Sequence, residues 1–117
     1  MSLGDLPLAS VEAPRTLRIA FERRELDLIL RLYGRMVAAG EWRDYAIDMR
    51  RDFAAFSAFR RASEAPLYRI EKRPALARAQ GAFSVIAAGG VILKRGHELD
   101  QVLRVFDRKW IRVYPES

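Results

Sequence analysis

The pattern of apolar residues predicts an α+β domain: a mainly antiparallel sheet of four to six strands with two amphipathic helices packed on one face. Three observations carry this. One long segment repeats apolar residues at helical spacing, several short segments alternate apolar and polar residues, and the short segments follow one another instead of alternating with helices. Strands in a run are joined by hairpins, and hairpins pair antiparallel.

Met1 to Pro14 contains prolines, a glycine and no clean periodicity, so residues 1–15 read as a flexible arm ahead of a single domain over residues 16–117. Leu17, Ile19 and Phe21 alternate with Arg18 and Ala20, which predicts a short strand over 16–21. The clearest helix follows over 22–39. Leu26, Ile29, Leu30, Tyr33, Met36 and Val37 form its stripe, Glu22 and Glu25 suit its positive end, and Gly40 stops it. Leu28 and Leu32 widen the stripe, which fits a helix sunk deeply in the core, with contact beyond the chain's own sheet as the alternative.

Tyr45, Ile47 and Met49 then keep period two, as do Ala54, Phe56 and Ala58 across a polar break at 50–52. Two paired strands are predicted. The spacing of Phe53, Phe56 and Phe59 also permits a helix, but the neighbouring strand and the aromatic content favour a sheet. Residues 67–72 form another strand, with Tyr68 and Ile70 facing in and Arg69 and Glu71 facing out. One or two helical turns are expected over 74–80, ended by Gly81. The strands 83–88 and 91–93 flank Gly89-Gly90, a pair suited to the positive φ angles of a tight hairpin. Helical spacing returns over 97–109 through Leu99, Val102, Leu103 and Phe106, and 110–114 reads as a last strand or an extended arm.

The composition narrows the function. There is no cysteine, which removes disulfides, thiolate metal sites and cysteine nucleophiles and fits a cytoplasmic protein. No apolar run approaches membrane-spanning length, and the first residues lack the basic and apolar regions of a secretory signal. No phosphate-binding glycine loop or serine-nucleophile elbow is present. A lone histidine, His97, supports neither a catalytic triad nor a transition-metal site, so no catalytic residue, metal or cofactor is assigned. Asp44 and Asp48 share a strand face, but Arg43 and Arg50 beside them make surface ion pairs the simpler reading.

The net charge of +6 is uneven, with −1 over residues 1–49 and +7 over 50–117. Of the basic residues all but Lys72, Lys94 and Lys109 are arginine, in an alanine-rich chain, a bias that a GC-rich genome produces by itself. The candidate ligand or nucleic-acid patch is nevertheless Arg60, Arg61, Arg69, Lys72, Arg73, Lys94, Arg95 and His97, from strand ends and loops that a sheet could bring to one edge. A solvated, edge-protecting rim is the competing reading. Leu28, Leu32 and Trp42 are candidates for a partner interface.

The segments LYGRMVAAGEWRDYAID, FRRASEAPLYRIEKRPALARAQG and LKRGHELDQVLRV resemble a small alphaproteobacterial family of unknown function. The likeness runs from about Phe21 to Phe106. It implies a compact bacterial protein and carries over no activity, ligand or catalytic residue. The leading expectation is a non-enzymatic binding or protein-interaction module, with self-association as a homo-oligomer one form of it. Nucleic-acid binding by the basic second half is the alternative. An enzyme for a small anion is third, and needs a pocket where an acid or His97 meets two or more arginines. No membrane role is expected, and a small-molecule ligand is unknown.

Overall fold

The computed structural model describes residues 17–61 and 64–107. Helix α1 (Arg23–Ala38) precedes five strands, β1 (Asp44–Met49), β2 (Ala54–Phe59), β3 (Tyr68–Lys72), β4 (Phe83–Ala87) and β5 (Ile92–Gly96), and a short helix α2 (Leu99–Val102) follows. The strands form one antiparallel meander in the order β1-β2-β3-β4-β5.

Helix α1 starts in a capping box: the Glu25 carboxylate accepts the Glu22 backbone N–H at 2.7 Å. Ile29, Leu32 and Met36 form the buried line that its spacing predicted. They pack on a sheet face built across the register from Ile47, Phe56, Ile70 and Val85. Leu99, Val102, Leu103 and Phe106 join the same core, so both helices cover one face. No helix among the described residues is long and apolar enough to cross a membrane.

Three expectations need correction. Residues 19–22 have no regular structure, and the Ile19 N–H bonds to the Arg50 carbonyl at 2.7 Å without starting a ladder. So short an alternation fits any extended stretch with one side against the core. Helix α2 begins at Leu99, with Glu98 as its N-cap and His97 outside it. The hairpin loop spans Ala88–Gly90; Gly89 and Gly90 do take φ of 84° and 85°. The arm over 1–15 and the expected tail element at 110–114 lie outside the described residues.

Lys72 fastens the helix to the sheet. On the core side of β3, its ammonium donates to Glu25 Oε1 at 2.7 Å and to the Ala20 carbonyl at 2.9 Å, with the two side chains 13% and 16% exposed. Removing one partner leaves the other charge poorly solvated. Lys72→Met should therefore lower stability by about 2 kcal/mol, discounted from a fully buried pair for its residual exposure. Adding Glu25→Gln should recover part of that loss, as read from urea unfolding midpoints at constant slope.

Candidate binding surface

Side-chain alternation sorts the basic residues. Lys72 and Lys94 are opposite Phe83 and Val85 in the register and stand on the helix-covered side, where Lys72 is engaged with Glu25. Arg60 and Arg61 are exposed at the end of β2 and beyond it. His97 lies between β5 and α2. The eight candidates therefore do not form one patch.

Arg69, Arg73 and Arg95 do come to one face, the side of the sheet away from the helices. One rung across that side reads Asp48, Ala55, Glu71, Ser84 and Arg95. Arg69 and Arg73 flank Glu71 at two-residue spacing, so all three point the same way. Glu71 is buried and takes both guanidiniums: Arg69 Nη2 donates to Oε2 at 2.6 Å and Arg73 Nε to Oε1 at 3.0 Å. The Arg73 guanidinium lies 4.5 Å from the centre of the Phe53 ring and that of Arg69 lies 5.7 Å from it. Such contacts hold a planar cation at a fixed tilt.

The floor of this side is small. Ala55, Ser57 and Ser84 are buried, and Ser57 is the register partner of Arg69. One carboxylate against two guanidiniums leaves surplus positive charge, and the arginine side chains remain 38% and 39% exposed. Asp48 on the same rung is paired to Arg50 at 3.6 Å, the surface ion pair expected from the sequence. Phe53 and Glu71 were not among the candidate site residues; the alternation Arg69, Glu71, Arg73 was the signal that could have placed Glu71 there.

The partner-interface candidates fare differently. Leu32 is 2% exposed and Trp42 1%, so neither can meet a partner. The wide helical stripe is explained by burial: Leu32 lies under the sheet and α2, and half-buried Leu28 sits at the margin of the core. Tyr33, on the same helix, donates its hydroxyl to the Arg43 carbonyl at 2.6 Å; burial, and then the nearby Asp44 carboxylate, push its phenol above the ordinary range.

Between the start of α1 and the start of α2 runs an open cleft of about 430 Å³. It brings His97 near Arg24 and Arg31, the kind of meeting a small-anion enzyme needs. Its lining also carries Glu22, Glu25, Asp27, Glu98 and Asp100, so carboxylates outnumber arginines there.

By architecture this is an α+β protein with one antiparallel five-stranded meander, helices on one side and an arginine cluster on the other. The chain belongs to DUF2794, a family of proteins of unknown function, whose model matches residues 19–103. That span agrees with the likeness seen in the sequence. Comparison with curated proteins and with solved structures finds no match.

Proposed function

We propose that this protein is a non-enzymatic interaction module that binds an acidic polypeptide partner on the helix-free side of its sheet. The observation that supports this most is the pinning of Arg69 and Arg73 by one buried carboxylate above Phe53, with Arg95 two strands away on the same rung as Glu71. Guanidiniums held in place before binding lose little entropy on meeting a carboxylate, and their planar forks match its two oxygens. Neighbouring strands are about 4.8 Å apart, so Arg95 stands within side-chain reach of an anion bound at Arg73.

A nucleic-acid footprint would draw on most of the basic second half. Here Lys72 is tied to Glu25, Lys94 stands on the opposite side and Arg60 and Arg61 lie off the arginine rung. The test is fluorescence anisotropy with a labelled oligoglutamate peptide and a labelled single-stranded oligonucleotide. The peptide should bind, and Arg69→Gln with Arg73→Gln should weaken it by about tenfold. Arg61→Gln and Arg78→Gln should leave it unchanged. Tighter oligonucleotide binding, with equal losses at all four positions, would replace this reading with the nucleic-acid one.

A further inference from the structure

We infer that the acidic partner is held as an added strand along the free edge of β5. The inference rests on the reading of the arginine side as the recognition surface, and places the partner against Arg95, the member of that surface on the edge strand. Strand β5 pairs with β4 on one side, and no described strand pairs with its other side. Such an edge presents unpaired backbone N–H and C=O groups, a template for an extended chain. Val91, Ile92 and Leu93 are 58%, 49% and 38% exposed at its start, a consecutive apolar run facing water.

The next residues select the occupant. Lys94 is exposed, Arg95 is half-buried on the arginine side, and no acidic residue occurs from Val91 to His97. The register is also broken, so that Leu93 has no partner between Val85 and Ile86. Edge cations and a bulge discourage pairing with another like-charged β5, yet the same cations attract a strand bearing carboxylates. A nucleic acid has no amide ladder to continue the sheet and no side chain for the apolar run. An extended polypeptide with alternating acidic and apolar residues fits this edge: main-chain bonds run along it, the carboxylates face the side of Arg95, and the apolar side chains face the other side.

The test uses the whole chain and labelled capped peptides of alternating glutamate and valine, either unmodified or N-methylated on the amides of one edge. The unmodified peptide should bind at least about tenfold tighter than the methylated one, because methylation removes the ladder and keeps the charge. The double variant Lys94→Glu with Arg95→Glu should lose the glutamate peptide by about tenfold and gain the matching lysine–valine peptide. Far-UV circular dichroism checks that the variant is folded. Equal binding of methylated and unmodified peptides overturns strand addition and leaves the acidic-partner reading intact. No binding of any acidic peptide overturns both. Dimers or larger species that exclude the peptide, seen by sedimentation, would make a second copy the occupant and overturn the inference.

Discussion

Replacing Trp42 with alanine should leave the protein largely unfolded at body temperature. Trp42 is 1% exposed and stands where helix and sheet converge. Its ring meets Phe106 edge-on at 5.4 Å and lies 6.2 Å from Tyr33 and 6.1 Å from Tyr68, so it joins α1, β3 and the chain beyond α2. Its backbone N–H reaches the Met36 carbonyl at 3.3 Å, in the turn that ends α1. Truncating so large a buried ring costs about 3–5 kcal/mol, against about 5–15 kcal/mol for a whole small domain. Trp42→Phe, which keeps an aromatic ring in the site, should lose much less. Urea unfolding followed by far-UV circular dichroism gives both values. A Trp42→Ala protein as stable as the parent would mean that the three aromatic contacts contribute nothing, contrary to the packing described.

Gly81→Ala should be comparably damaging, for a different reason. Gly81 has φ of 103°, which side-chain-bearing residues rarely adopt. An added Cβ would also stand 2.1 Å from the carbonyl carbon of Gly96 and 2.2 Å from its oxygen. Those are backbone atoms at the end of β5, so no side-chain rotation relieves the clash. Strain and forced separation together should cost about 3 kcal/mol or more and weaken the β4–β5 end of the sheet. Gly89→Ala separates the two causes. Gly89 has φ of 84° but nothing within 4 Å of an added Cβ, so it should cost only the left-handed penalty of about 1–2 kcal/mol. Equal losses at the two glycines would show that the close approach of β5 does not matter.

Much of the fold was legible because its signals are local. The stripe of α1 and the alternation of β1 to β4 each follow from the faces that must be buried, and the paired glycines from the φ angles their loop requires. The strand expected over 16–21 failed because alternation reports a buried side but cannot supply a partner strand. Trp42 was misread as surface because a polar neighbourhood, Glu41 and Arg43, says nothing of where the ring points. Half of the arginine cluster was readable: Arg69 and Glu71 were placed outward by parity, and the same parity puts Lys72 on the other side. Arg95 was named as a candidate, but the face it takes was out of reach because its position beside Ser84 depends on the register across a bulge.

The most direct test of the central claim, that the side of the sheet away from the helices is the recognition surface, is a two-dimensional amide NMR titration of the unmodified protein with the alternating glutamate–valine peptide. The account predicts shifts concentrated in residues 69–73, at Ser84 and along 91–96. Shifts concentrated instead around Leu28 and His97 in the interhelical cleft, or at Arg60 and Arg61, would contradict it.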